Sequence, residues 1–83
     1  MQTKINFTEK QGQYLAFISL YIKVNGQSPA ETDFQRYFKV TPPTVHQMIV
    51  KLENLGHISK IPRVARSIKL QIPLNEIPEL KDV

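Results

Sequence analysis

The chain has 83 residues, a net charge of +4 and no cysteine. That length gives one small domain with a modest core, and neither a disulfide framework nor a thiolate metal site can support it. The longest apolar-rich stretch, Tyr14 to Val24, is far shorter than the roughly 20 residues a membrane span needs, while a hydrophobic content of 41% argues against a disordered chain.

Met1 leads into polar residues, so no signal peptide is read, and a cytoplasmic protein is expected. The charge is uneven. Residues 41–70 carry five basic groups and one acidic, whereas residues 71–83 carry one basic and three acidic. A basic second half on a small domain is the footprint of a polyanion ligand, most often nucleic acid. The plain alternative is a solvated charged face.

In chain order, Thr8-Glu9-Lys10-Gln11 has the form of a capping box, and Phe7 is placed as a hydrophobic staple. Tyr14, Leu15, Phe17, Ile18, Tyr21, Ile22 and Val24 follow at spacings of mainly three and four, which predicts an amphipathic helix with a wide buried face. Gly12 reads as a weak point in its first turn. Asn25-Gly26 stops it. A second helix is expected from about Ala30 to Phe38, with Glu31 and Asp33 in its first turn and Lys39 past its end, an order of charges that suits the helix dipole. Lys39-Val40-Thr41 is only long enough for a turn. A third helix is expected from Pro42 or Pro43 to Leu55, with Thr41 as N-cap, since early prolines lack amides that have no helical partner anyway. Its apolar stripe is Val45, Met48, Ile49, Leu52 and Leu55.

After Gly56 the period changes. Ile58 to Ile61 and Ile68 to Ile72 read as strands, joined by a hairpin loop at residues 62–67, with Pro62 limiting the first strand. The stretch 73–83 is expected to be an extended or partly ordered tail after a domain spanning 1–72. Its apolar groups would lie over the same chain or cross to a second copy. Two helices joined by a short turn form a helix-turn-helix. With a basic hairpin after them, the expected fold is α+β, a winged helix-turn-helix of three helices and a two-stranded antiparallel hairpin.

Advancing about 100° per residue from a buried Val45 turns Pro43, Gln47, Val50, Asn54 and, less centrally, His46 and Lys51 away from the core, with Thr44 at the flank in the first turn. Such a helix enters the DNA major groove N-terminus first. Gln47 can pair bidentately with adenine, Thr44 and His46 can donate or accept, and Val50 can meet a thymine methyl. These four are the candidate base readers. Thr41, Lys51, Lys60, Arg63, Arg66 and Lys69 are the candidate backbone contacts. The helical spacing of the aromatic residues favours core packing over base stacking. Enzyme chemistry is not expected: His46 and His57 have only Glu53 nearby, which makes neither a metal site nor a catalytic set. His57, after Gly56, reads as a surface or flanking histidine. No metal or cofactor is expected.

Four segments resemble the DNA-binding domain of LexA repressors. "FTEKQGQYLAFI" is similar to that family's opening helix, and "GQSPAETDFQRYF" to the spacing of Gly, Pro, acidic and apolar residues into its second. "TPPTVHQMIVKLENLGHI" resembles its recognition helix, and "ARSIKL" its wing, in which Ser67 stands where glycine is common. The resemblance covers residues 7–72. It implies a bacterial-type transcriptional regulator or repressor that binds double-stranded DNA, with helix 42–55 in the major groove and wing 60–69 on the backbone. The family continues into a self-cleaving peptidase domain that also dimerises it; the resembling residues include none of that chemistry. A stand-alone regulator, with a homodimer through the tail as partner, is the resulting expectation. The rival is a protein–protein interaction adaptor that uses the same fold, favoured by the low charge of the third helix.

Overall fold

The computed structural model describes residues 6–81; residues 1–5 of the expected domain and 82–83 of the expected tail lie outside the described residues. Helix α1 spans Glu9–Asn25. Its capping box forms as the sequence requires: the Gln11 amide donates to Thr8 Oγ1 at 3.1 Å, and the Thr8 amide donates to Gln11 Oε1 at 2.9 Å. Gly26 ends the helix at φ 75°, its amide donating to the Ile22 carbonyl. Helix α2 spans Glu31–Phe38, and its N-cap, Ala30, has no side-chain acceptor. Asp33 compensates by accepting the Ala30 amide at 2.8 Å. Helix α3 spans Pro42–Asn54, with Thr41 as N-cap and both prolines in its first two positions. The Thr41 hydroxyl meets Thr44 Oγ1 at 2.9 Å instead of capping a backbone amide.

An aromatic stack joins the first two helices. Tyr14 lies parallel to Phe38 at 4.5 Å and to Phe34 at 5.3 Å, and Phe17 tilts against Phe34 at 5.0 Å. Val45, Ile49 and Leu52 pack into the same cluster with no exposed surface. Two residues expected on buried faces are exposed. Leu55 is 49% accessible, because ten residues beyond Val45 a helix has turned about 80° from it, and the helix has already ended. Val24, in the last turn of α1, is also exposed.

The ladder is shorter than the alternation of 68–72 suggests. Strand β1, Ile58–Ser59, pairs antiparallel with β2, Lys69–Leu70, in the register Ile58↔Leu70 and Ser59↔Lys69. One further bond, from the Gln71 amide to the His57 carbonyl, continues it. The chain leaves the ladder early because Pro62 has no amide to donate and because Arg63 and Arg66 both turn it at positive φ. Ser67 closes the resulting loop: its hydroxyl accepts the Ile61 amide at 2.9 Å and donates to the Val64 carbonyl at 2.8 Å. Ile61 points outward, whereas Ile58 and Ile68 enter the core.

Beyond β2 the chain returns over α1. A 3-10 turn at Leu74–Glu76 leads to Ile77 and Leu80, which pack against the core. The Gln13 side chain donates to the Glu79 carbonyl and accepts the Lys81 amide, the Tyr37 hydroxyl donates to the Lys81 carbonyl, and Lys81 Nζ meets Glu9 Oε2.

This return explains Gly12. A Cβ there would lie 2.8 Å from the Phe7 ring and 3.0 Å from Pro78 Cγ. Alanine would gain about 1 kcal/mol of helix propensity, against about 1–3 kcal/mol for overpacking. Gly12→Ala is therefore expected to lower stability by about 1 kcal/mol. A rise in the denaturation midpoint would show that Phe7 and the tail do not crowd this position.

Candidate nucleic-acid interface

The outward face of α3 follows from its buried stripe. With Val45, Ile49 and Leu52 inside, Thr44, His46, Gln47, Val50 and Lys51 are exposed along the opposite side. Val50 is 38% accessible, an aliphatic group on a polar face. The turn from α2 to α3 is Lys39 to Thr41, and Lys39 makes it in the left-handed region at φ 56°. His46 leans back towards α2, with Nδ1 3.6 Å from Glu31 Oε2.

The wing's basic residues fall into two groups. Arg63 and Lys69 are exposed, and among the described residues neither they nor Lys51 is in an ion pair. Lys60 and Arg66 instead reach across to α2. Lys60 Nζ lies 3.7 Å from Glu31 Oε2. Arg66 Nη1 donates to Asp33 Oδ2 at 3.0 Å, to the Tyr21 hydroxyl at 3.0 Å and to the Ser28 carbonyl at 3.3 Å. Its guanidinium also stands 5.8 Å from the Tyr21 ring centre. The Ser28 hydroxyl accepts the Ile68 amide, adding a tie between the α1–α2 loop and the wing.

Asp33 is the acid at the centre of this group. Burial opposes its charge, but the Ala30 amide, the Arg66 charge and hydrogen bonds from Tyr21 and Arg66 outweigh it and hold the carboxyl below its usual value. The Tyr21 hydroxyl, then Asp33, push Arg66 further up.

The sequence did not single out Asp33, Glu31, Tyr21 or Ser28 for this role. Glu31 and Asp33 were legible only as helix-dipole charges, because their wing partners are distant in sequence. His57 also differs from its reading as a surface side chain. It is buried, edge-on to Phe7, with Nε2 3.3 Å from the Asn6 carbonyl. Strand β1 starts immediately after it and draws it beneath the chain that precedes α1. Among the described residues no three His, Asp or Glu side chains converge as metal ligands, and no helix is long and apolar enough to cross a membrane.

Three helices, the last two joined by a three-residue turn, and a two-stranded antiparallel hairpin define a winged helix-turn-helix. No protein-family model matches the chain. It is 44% identical over 63 residues to the LexA repressor of Thermosipho melanesiensis, covering 76% of this chain and 32% of that protein. It is 41% identical over 63 residues to the LexA repressor of Thermosipho africanus, with the same coverage. It is 34% identical over 71 residues to that of Petrotoga mobilis, covering 84% of this chain and 34% of the relative. The resemblance to the LexA repressor DNA-binding domain is thus shown, and the chain spans about a third of the length of the curated relatives it matches.

Because the folded Asp33 carboxyl is the stronger acid, its contribution to stability is fully present above the unfolded value of about 4 and is lost as pH falls through the lower folded value. Asp33→Asn should therefore flatten the fall in stability between about pH 5 and pH 2. An unchanged acid limb in urea titrations across that range would contradict the pairing.

Proposed function

We propose that the chain binds double-stranded DNA sequence-specifically, as a transcriptional regulator of repressor type acting in the cytoplasm. The observation that carries this is the exposed row Thr44, His46, Gln47 and Val50 on a helix whose Val45, Ile49 and Leu52 are fully buried, beside a wing whose Arg63 and Lys69 are in no ion pair among the described residues. The relatives' name, LexA repressor, points the same way.

In this reading α3 lies in the major groove, and its first two turns meet base edges. Gln47 reads adenine, Thr44 and His46 supply adaptable donors and acceptors, and Val50 contacts a thymine methyl. Thr41, Lys51, Arg63 and Lys69 hold the sugar-phosphate backbone and set the register. Lys60 and Arg66, candidates of the same kind, are turned towards acids on α2. The doubled proline stiffens the start of α3 and removes two amides that could otherwise bind phosphate, so anchoring falls more heavily on the wing.

One domain of this size covers a single half-site, so useful specificity calls for two copies on the duplex. Glu79 and Lys81 are tied to Gln13 and Tyr37 of the same chain. We therefore propose pairing on the DNA, not by exchange of tails. The adaptor reading is favoured by one observation, the nearly uncharged outward face of α3, where Lys51 and Glu53 cancel.

Duplex titration at several salt concentrations separates the two readings. Two to four neutralised phosphates give a log–log slope of roughly −2 to −4; salt-independent or absent duplex binding would leave the adaptor. Once a preferred site has been selected from random sequence, Gln47→Ala should weaken specific binding by about 1–3 kcal/mol and leave non-specific binding unchanged. Arg63→Ala should lower both and flatten the slope by about 1. Equal loss on both kinds of DNA from Gln47→Ala would remove it from base reading.

A further inference from the structure

The wing has little to hold it in place by itself. Its ladder is two residues long on each side, and a two-stranded hairpin is marginal in water without packing. Two non-glycine residues, Arg63 at φ 66° and Arg66 at φ 55°, occupy the left-handed region. Such conformations persist only where the surroundings over-determine them.

Here those surroundings are the start of α2 and the loop before it. The first arm of the hairpin sends Lys60 to Glu31, and the second sends Arg66 to Asp33. Ser28 contributes twice: its carbonyl accepts from Arg66 and its hydroxyl accepts the Ile68 amide. Asp33 is itself anchored, since the same carboxylate oxygen that meets Arg66 accepts the Ala30 amide. The Asp33 side chain is only 11% accessible. The clasp is therefore built on a fixed point, and that point is the helix immediately before the α2–α3 turn.

We infer that Arg66 is a positioning residue and not a phosphate ligand: clasped to Asp33, Tyr21 and Ser28, it fixes the wing against α2 and so sets where Arg63 and Lys69 stand relative to α3. The inference rests on the DNA-binding reading for its consequence, but the clasp itself is testable without DNA. The geometry favours a clasp over a ligand held in reserve, because one guanidinium nitrogen already serves three acceptors and the Tyr21 ring flanks the group. A move of Nη1 to phosphate would break all three hydrogen bonds.

Asp33→Asn separates the alternatives, since it removes a negative charge beside the proposed DNA face. If Asp33 merely restrains a phosphate-binding Arg66, the substitution tightens duplex binding and steepens its salt slope. If Arg66 positions the wing, the substitution weakens binding although the net charge has become more positive. The expected result is a loss of about tenfold, the lower end of what removing the partners that orient metal ligands costs, with the salt slope unchanged. Arg66→Lys, which keeps the charge and loses the fork, should lose affinity to a similar extent at an unchanged slope, in contrast to the flattened slope of Arg63→Ala. Tighter binding by Asp33→Asn, or a slope flattened by about 1 in Arg66→Ala, would overturn the inference.

Amide hydrogen exchange on the free protein tests the clasp directly. In Arg66→Ala the Ile61 and Ile68 amides should exchange faster while those of Ile49 and Leu52 keep their native protection, which also shows that the variant is folded. Native exchange at Ile61 and Ile68 would overturn the clasp. Failure of the native protein to bind any duplex, with this exchange result intact, would instead refute the DNA reading alone.

Discussion

Val45, Ile49 and Leu52 have no accessible surface, and the direction of every other side chain on α3 follows from that. A small chain has few places to bury apolar area, so the stripe that meets the aromatic stack of α1 and α2 is strongly specified. Turning α3 to expose any of the three would forfeit roughly 1.5–3 kcal/mol for each buried aliphatic side chain. The row Thr44, His46, Gln47 and Val50 is therefore held outward by burial on the far side of the helix, with Thr44 also meeting Thr41 and His46 leaning towards Glu31. Function in this reading depends on the rigidity of a core that contains none of the functional residues.

The wing obeys a different constraint. Its hairpin contributes Ile58 and Ile68 to the core, but most of its length is exposed. Electrostatic ties to α2 replace the packing it lacks. Surface ion pairs are individually weak, yet here Asp33 is mostly buried and also accepts a backbone amide, and Ser28 adds a bond that salt does not screen. The basic stretch 60–69 thus divides between cations that shape the wing and cations that face solvent. The charge pattern alone makes no such distinction.

What could be read from the sequence was local. The Thr8–Gln11 box, the stop at Gly26, the proline start of α3 and the helical period each act within a few residues, and all appear in the fold. Two local signals were over-extended. Alternation in 68–72 reports which side of the chain faces inward, not how many residues pair, and the stripe of α3 drifts off the core before Leu55. Gly12 looked like a defect because its neighbours, Phe7 and the returning Pro78, are not a matter of helix propensity. The candidate site was legible in part. Periodicity places the outward residues of α3 directly. The link from Arg66 to Asp33 spans 33 residues and that from Gln13 to Glu79 spans 66, so neither leaves a pattern in a single sequence.

In the proposed reading one face, the outward side of α3 with the adjoining wing, meets duplex DNA. Amide chemical-shift mapping on adding a mixed-sequence duplex tests it most directly. The largest changes are expected within residues 43–51 and 60–69, fading as salt is raised. Changes centred instead on the exposed apolar side chains Leu20, Val24 and Leu74, or no changes at all at low salt, would contradict it.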